Sequence, residues 1–242
     1  MRFGPRSAST NRPGSSTPAM ATIDRVAVIG GTGPEGFGLA LRWAIAGIPI
    51  VIGSREEDRA QASAARLRDM TPGAEVEGLV NGEAAAACDV VVVTVPFAGQ
   101  AAIYKSIAER LRKDAVVVDC TVPLAAAAGG RPTRVLGVWE GSAAQQALSL
   151  LPKGTILCSA FHSLAAAALG DLETEMEGDV LTCGFKAGKP VVRELVEAIP
   201  RLRYVDAGPL ESARLVEPLT ALLVGLNRRY KTHGAGLRIT GI

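Results

Sequence analysis

A glycine-rich turn near the start of the chain has the spacing of a dinucleotide-binding site. Gly31, Gly33 and Gly36 follow the pattern G-x-G-x-x-G, between an apolar run at 26–29 and an apolar-periodic segment at 39–46. This order predicts a strand, a turn and a helix. In such a turn the glycines allow a tight bend, a close approach of backbone amides to a pyrophosphate, and close packing of the helix on the strand. The positive end of the helix would face the phosphates.

The end of the second predicted strand indicates which dinucleotide the chain prefers. After the apolar run 48–52 come Ser54 and Arg55, and Arg59 lies four residues further along. An NAD site usually has Asp or Glu at this point, accepting a hydrogen bond from the ribose 2′-hydroxyl. Arginine and serine instead suit a 2′-phosphate, which a carboxylate would repel. The sequence therefore predicts NADP rather than NAD, and the alternative is a tight helix–strand turn that binds nothing.

The other reactive residue types do not form a catalytic pattern. The cysteines lie far apart and none belongs to a C-x-x-C motif, so we predict neither a zinc site nor a redox pair. Each cysteine lies in or beside an apolar segment, where cysteine serves as a small core residue. There is also no Ser-His-Asp set and no nucleophile elbow. We therefore predict no catalytic side chain and no metal ligand.

Composition and pattern together predict the α/β class. The chain has 242 residues, of which 48% are hydrophobic and 21% charged, with a net charge of +2. A substantial core is expected, and nothing in the charge favours nucleic acid. The longest apolar strand pattern is too short to cross a bilayer, so we expect no membrane span and a cytoplasmic location.

Strand and helix patterns alternate along the chain, which predicts a Rossmann-type doubly wound parallel sheet. The predicted strands cover 26–29, 48–52, 75–80, 89–95, 115–119, 155–160, 179–183 and 203–205. The predicted helices cover 39–46, 56–70, 100–111, 143–151, 191–198 and a segment starting at 213.

The two ends of the chain differ from the body. Residues 1–22 are rich in Ser, Thr, Pro and Gly and lack a signal-peptide core, so we predict a disordered tail.

Near the C-terminal end, a helix carries an apolar stripe with spacings of 3 and 4 residues. The stripe consists of Leu215, Leu219, Leu222, Leu223 and Leu226. It exceeds what a small domain needs to cover, so we predict a homodimer that uses this helix.

Several segments resemble one known family. They are VIGGTGPEGFGLALRWA, IGSREEDRA, VVVTVPF, SAFHSLAA, DAGPLESARLVEPLT and the ending NRRYKTHGAGLRITGI. Together, over about 25–242, they resemble the F420-dependent NADP oxidoreductases, also called NADPH-dependent F420 reductases. The resemblance implies hydride exchange between the deazaflavin C5 of coenzyme F420 and the nicotinamide C4 of NADP. It also implies an NADP-binding Rossmann domain at 23–160 and a smaller C-terminal α/β domain at 161–242, with both cofactors in the cleft between them and a dimeric assembly.

The resemblance also implies roles for individual residues. Those expected to serve NADP are Thr32, Ser54, Arg55 and Arg59; those beside the nicotinamide are Val95 and Pro96; those in the deazaflavin pocket are His162, Ser163 and Leu164. The chain departs from the family at Phe97, where Trp is frequent, and at Ala165, where Pro is common. Because hydride transfer between two cofactors needs alignment and exclusion of water, we expect His162 to shape the pocket rather than transfer a proton.

Some alternatives remain open at the level of sequence. The chain could instead be an NADP-dependent reductase of a small imine or carbonyl compound, or a non-catalytic NADP-binding module. Arg214 and Glu217 lie about one turn apart and could pair with each other. Arg228, Arg229 and Lys231 form a basic cluster that could meet the phosphate or carboxylates of a deazaflavin tail, or simply be solvated.

Overall fold

A computed structural model describes residues 23–173 and 175–242, so the predicted tail at 1–22 lies outside the described residues. The strands are β1 Val26–Ile29, β2 Ile50–Ser54, β3 Val76–Val80, β4 Val90–Val93, β5 Val116–Asp119, β6 Ile156–Ser159, β7 Gly178–Gly184 and β8 Leu202–Asp206. The helices are α1 Pro34–Ile45, α2 Glu57–Met70, α3 Asn81–Ala87, α4 Phe97–Ile107, α5 Ala143–Ser149, α6 Ala166–Gly170, α7 Lys189–Glu197, α8 Ala213–Val216 and α9 Leu219–Tyr230. Short 3-10 turns occupy Ala108–Arg110, Ala125–Ala128 and Leu210–Ser212.

The strands form one sheet in the order β3-β2-β1-β4-β5-β6-β7-β8. The pairs from β3 to β6 are all parallel, and every residue of β1, β4 and β5 is buried, as expected for strands covered on both faces. The doubly wound α/β fold is therefore confirmed. Because the chain order reverses at β1, which pairs with both β2 and β4, a crevice opens at the carboxyl ends of these strands.

The C-terminal strands extend the same sheet. β7 runs antiparallel to β6, with Ser159 opposite Cys183, and β8 is parallel to β7. The last residues of the chain lie along the start of β7, where Asp179 N donates to Leu237 O at 2.8 Å. Ile239 N donates to Asp179 Oδ2 at 2.6 Å. Because β7 is antiparallel to β6, the start of β7 lies at the same edge of the sheet as the carboxyl end of β6.

Apolar side chains cover both faces of the sheet. On one face Trp43 and Phe161 pack edge to face, with ring centroids 5.5 Å apart, and Trp43 Nε1 donates to Leu195 O at 2.8 Å. On the other face the buried rings and chains include Tyr104 and Ile107. The four cysteines are buried and unpaired by disulfides. In the described part of the chain, no helix is long and apolar enough to cross a membrane.

The structure differs from the sequence prediction in several elements, among them the short helix α6, which was not predicted. Helix α1 begins at Pro34 rather than at 39, because a proline suits the first helical position and the glycines that follow pack closely. Helix α3 was not predicted, since its sequence NGEAAAA carries no amphipathic pattern. The last helix is interrupted before Pro218, whose ring removes one backbone donor, so that α8 and α9 are separate.

Candidate functional site

The glycine turn after β1 is shaped by contacts that exclude larger side chains. Gly30 has φ +82°, and a Cβ there would lie 2.8 Å from Val95 Cγ1. A Cβ on Gly36 would lie 2.3 Å from Thr94 Oγ1, so α1 can approach the end of β4 only with glycine at this position. Gly31 is enclosed by the backbone and by Ile52, while Gly33 is the N-cap of α1. The turn therefore presents its backbone and the first amides of α1 to the crevice.

A first cavity of about 340 Å³ lies between this turn and the end of β2. The predicted site residues that line it are Thr32, Gly33, Ser54, Arg55, Arg59, Val95 and Pro96. The Ser54 side chain is buried, and its Oγ accepts a hydrogen bond from Glu56 N at 3.3 Å. Arg55 is exposed and forms no ion pair with another described residue, whereas Arg59 lies 4.0 Å from Glu56. The cavity thus brings together a hydroxyl and two arginines, groups that can form charge-assisted hydrogen bonds with a phosphate.

Asn81 is a polar residue of this cavity that sequence reasoning missed. It follows β3 directly, begins α3 and is only 6% exposed. Its Oδ1 has no hydrogen-bond partner among the described residues. Gly53 on β2 makes room for it, because a Cβ there would lie 3.0 Å from Asn81 Oδ1. An unpaired buried amide costs free energy unless a ligand completes its hydrogen bonds. Together with the glycine turn, it fits a polar dinucleotide.

A second cavity of about 530 Å³ adjoins the first. The residues common to both cavities are Gly33, Thr94, Val95 and Pro96. The second cavity is largely apolar, and His162, Leu164 and Thr220 contribute to its wall opposite β4. Flat ring systems entering from the two cavities would therefore meet beside Val95 and Pro96. This is the arrangement that direct transfer between two bound molecules requires.

His162 is fixed in this wall by contacts at its ring and at its backbone. Its Nε2 lies 2.9 Å from Ser159 Oγ, and its carbonyl accepts a hydrogen bond from Thr220 Oγ1 at 2.9 Å. Burial lowers the pKa of His162 from 6.5 to about 4. The preceding residue, Phe161, has φ +68°, a left-handed conformation that is strained for an aromatic residue. Its ring is held against Trp43, which keeps the strained turn in place.

The resemblance implies three residues of the deazaflavin pocket, and Ser163 is the one that does not line the second cavity. Its Oγ donates to Asp179 O at 3.5 Å, and it is absent from the lining of both cavities. Leu164 does line the second cavity. Ser163 therefore connects the turn after β6 to β7, and contact with a ligand stays a prediction for this residue.

Two acidic residues lie in or next to the wall of the second cavity, Asp119 buried and Glu35 half-buried. Asp119, at the end of β5, accepts hydrogen bonds from Tyr104 Oη at 2.8 Å and from Thr121 Oγ1 at 2.7 Å. Burial raises the pKa of Asp119 to about 6, against these hydrogen bonds, which lower it. Glu35 lines the second cavity, where burial, with the neighbouring Asp119, raises its pKa to about 8. The raised pKa lowers the negative charge that Glu35 brings to this cavity.

Glu217 does not form the ion pair with Arg214 that the sequence left open, and it contacts α5 instead. Its two carboxyl oxygens accept hydrogen bonds from Ala143 N at 2.8 Å and Ala144 N at 3.0 Å, at the start of α5. Burial raises the pKa of Glu217 to about 8. Arg214 instead pairs with Glu211 at 2.8 Å. The two residues do not pair with each other, because Glu217 faces the interior, 1% exposed, and Arg214 faces solvent.

Comparison with known proteins places this arrangement in one family. The family model described as "NADP oxidoreductase coenzyme F420-dependent" matches residues 25–123. The F420-dependent NADP reductase of Methanothermobacter thermautotrophicus is 40% identical over 224 residues, covering 91% of this chain and 96% of that protein. The F420-dependent NADP reductase of Methanocaldococcus jannaschii is 39% identical over 223 residues, covering 90% and 99%.

Solved structures share the fold. A putative F420-dependent NADP reductase from Arthrobacter sp. FB24 superposes with a TM-score of 0.74 at 22% identity, covering 90% of this chain and 99% of that one. An imine reductase from Streptomyces aurantiacus has a TM-score of 0.53 at 20% identity, covering 86% of this chain and 61% of that one. Because both identities are low, these likenesses show a common fold.

Proposed function

Because this chain belongs to the family of F420-dependent NADP reductases, we propose that its two adjoining cavities hold NADP and coenzyme F420 for hydride transfer between them. The enzyme is an NADPH-dependent F420 reductase. The observation that supports this function best is the wall shared by the two cavities, formed by Gly33, Thr94, Val95 and Pro96. The nicotinamide C4 and the deazaflavin C5 exchange the hydride, so the protein needs no nucleophile.

NADP occupies the first cavity in this proposal. Backbone amides of the turn around Gly31 and Gly33, and the start of α1, would hold the pyrophosphate. Ser54, Arg55 and Arg59 would hold the 2′-phosphate, with the two guanidinium groups giving charge-assisted hydrogen bonds. The remaining glycine of the fingerprint is Gly36. It allows α1 to pack against Thr94, so the first amides of α1 stay close to the pyrophosphate.

The nicotinamide and the deazaflavin meet in the second cavity. Val95 and Pro96 support the nicotinamide face, while His162 and Leu164 border the deazaflavin, with Ser163 anchoring their turn to β7. Phe97, in place of the family's frequent Trp, begins α4 at the same wall. The apolar wall keeps water from the reacting carbon atoms and holds the two rings at a reactive distance.

The chain is divided functionally in this proposal. Residues 23–160 bind NADP, and residues 161–242 complete the deazaflavin pocket and carry the surface for a homodimer.

The surface proposed for the homodimer includes Leu215 and Leu222 of the final helices. These two side chains are 67% and 55% exposed, and burial against a second copy would remove this apolar surface from water. The proposal places the enzyme in the cytoplasm, where both coenzymes would be its small-molecule substrates.

One assay tests the function. Purified protein is mixed with NADPH and oxidised F420, and the loss of deazaflavin absorbance is followed together with the oxidation of NADPH. We expect both signals to change in equal amounts, and the reverse reaction to run with NADP and reduced F420. NADPH oxidation with imines or carbonyl compounds but not with F420 would show a different reductase. Binding of NADPH without any turnover would show a non-catalytic binding module.

A further inference from the structure

Glu35 is an acidic residue of the second cavity for which the proposed hydride transfer requires no role. It lies in the first turn of α1, is half-buried and lines the cavity together with Val95 and Pro96. Its carboxyl group has no hydrogen-bond or ion-pair partner among the described residues. Because the wall around it is mostly apolar, ionisation of this group carries a cost of desolvation. A positive charge on a ligand in the cavity would offset that cost.

The packing of α1 places Glu35 beside the end of β4. Gly36, the next residue, is so close to this strand that a Cβ there would lie 2.3 Å from Thr94 Oγ1. Thr94 and Val95 belong to the wall that the two cavities share. The proposed function puts the nicotinamide at this wall, so Glu35 lies on the nicotinamide side of the second cavity.

The titratable groups around Glu35 bring no positive charge to it. Burial, together with Asp119 at the end of β5, raises the pKa of Glu35 to about 8. Burial also raises the pKa of the Cys120 thiol well above its usual value and lowers the pKa of His162 to about 4, so both groups are neutral near pH 7. None of the other described residues that line this cavity titrates. Only the positive end of the α1 dipole favours the carboxylate.

The charge of the nicotinamide changes during the reaction. The ring is neutral in NADPH and positively charged in oxidised NADP, because the hydride leaves C4 with both bonding electrons. The pyrophosphate and the 2′-phosphate are the same in both forms, so the ring alone distinguishes them. A carboxylate beside the ring stabilises the oxidised form by Coulomb attraction, and a neutral carboxyl group does not.

We propose that Glu35 discriminates between the two redox states of NADP, as a carboxylate beside the oxidised ring and as a neutral carboxyl group beside NADPH. The proton that Glu35 loses when the ring becomes cationic passes to water, and a proton from water returns when NADPH binds. This rests on the proposed function, which places the nicotinamide beside Val95. As the pH rises through the pKa of Glu35, oxidised NADP should bind more tightly relative to NADPH, since only the oxidised form favours the ionised group.

Binding measurements without F420 test this role. The dissociation constants of oxidised NADP and of NADPH are measured from about pH 7 to pH 9 for the parent and for Glu35→Gln. The matched control is Glu83→Gln, which changes the same side chain in the first turn of α3, outside both cavities. In the parent and the control, the ratio of Kd for oxidised NADP to Kd for NADPH should fall about tenfold over this range. In Glu35→Gln the ratio should change less than about twofold.

Calorimetry on the parent protein gives a second measurement that needs no variant. In buffers of different ionisation enthalpy at about pH 7, binding of oxidised NADP should release a fraction of a proton that binding of NADPH does not release. The 2′-phosphate is present in both ligands, so its own titration cancels in this comparison.

The outcomes separate this role from the proposed function. If the ratio falls equally with pH in the parent and in Glu35→Gln, or if both ligands release the same number of protons, Glu35 does not discriminate between the redox states. The proposed function then still stands on the reduction of F420. If the ratio and the proton release behave as expected but F420 is not reduced, the role of Glu35 stands and the proposed function is wrong.

Discussion

Ser159 Oγ lies 2.9 Å from His162 Nε2, and both residues are buried at the end of β6. The contact joins the last residue of a strand to the turn that follows it, so the imidazole has a fixed orientation beside the second cavity. Burial lowers the pKa of His162 to about 4, and the ring is therefore neutral at physiological pH. A neutral, hydrogen-bonded imidazole is suited to forming the wall of a pocket rather than to carrying protons.

The first prediction concerns His162→Asn, which keeps a polar side chain but cannot titrate. We expect KM for F420 to rise modestly and kcat to stay within about tenfold, or roughly 1.4 kcal/mol of barrier. The pH profiles of parent and variant should be parallel from about pH 5.5 to 8, since the ring carries no proton there. A loss of about 10²–10⁴ in kcat, with an altered inflection, would show general acid–base catalysis. His233→Asn, an exposed histidine, is the control.

The same substitution also tests the pKa through stability. Because the folded state lowers the pKa of His162 from 6.5 to about 4, the unfolded chain binds more protons between these values. The stability contributed by neutral His162 is complete above pH 6.5 and is lost as the pH falls towards 4. Melting temperatures measured across this range should therefore fall more steeply for the parent than for His162→Asn. Equal slopes would contradict the lowered pKa.

Much of the fold and half of the site could be predicted from local patterns. Apolar runs identified the strands because each parallel strand is buried on both faces. Arg55 was singled out because it is a cation at the end of β2, and it lines the first cavity, but its contact with a 2′-phosphate stays a prediction. Three features depend on contacts between distant segments and left no local signal. These are the left-handed Phe161, the buried amide of Asn81 and the interior position of Glu217.

The second prediction concerns cofactor choice. We expect the parent enzyme to bind NADP more tightly than NAD, and Arg55→Ala to cost about 1.5–3 kcal/mol in NADP binding, the range for charge-assisted hydrogen bonds. NAD binding should change little, because NAD lacks the 2′-phosphate. Arg110→Ala, also an exposed arginine without a described partner, is the control. Titration of both cofactors gives the affinities, and equal affinities for NAD and NADP in the parent would contradict the assignment.

The third prediction concerns Asn81, whose Oδ1 is buried and has no hydrogen-bond partner in the described part of the chain. Removing an unsatisfied polar group costs the free protein little, so Asn81→Ala should keep the melting temperature of the unliganded protein within a few degrees. NADP affinity should fall roughly threefold to tenfold, if the ligand normally completes the hydrogen bonds of this amide. Calorimetry with and without NADP separates the two effects. A large loss of unliganded stability with unchanged affinity would show that Asn81 is only a packing residue.

The fourth prediction concerns assembly. Leu222 is 55% exposed on α9, and replacing it with Asp should prevent a two-fold contact of this helix with a second copy, giving monomers. Ile45→Asp is the matched control, since Ile45 is 53% exposed at the end of α1. Light scattering at micromolar concentration measures the mass of parent and variants. A monomeric parent, or a dimeric Leu222→Asp variant, would remove α9 from the interface.

The last prediction concerns Glu217, which links α5 to the wall of the second cavity. Its carboxyl group accepts two amides from α5, and three residues later Thr220 holds the carbonyl of His162. In Glu217→Gln one acceptor oxygen becomes an amide NH2 group, which only donates, so one buried amide of α5 loses its partner, at a cost of about 1–3 kcal/mol. We expect a lower melting temperature and a raised KM for F420, because the start of α9 shifts and moves Thr220 with it.

Glu211→Gln separates this effect from a general loss of charge. Glu211 pairs with Arg214 at the surface, where such a pair contributes less than about 1 kcal/mol, so this variant should match the parent in both measurements. The KM for NADPH is a second internal control, because none of the residues that line the first cavity belongs to α9. If Glu217→Gln melts lower but keeps the parent KM for F420, Glu217 stabilises the fold without positioning the wall of the pocket.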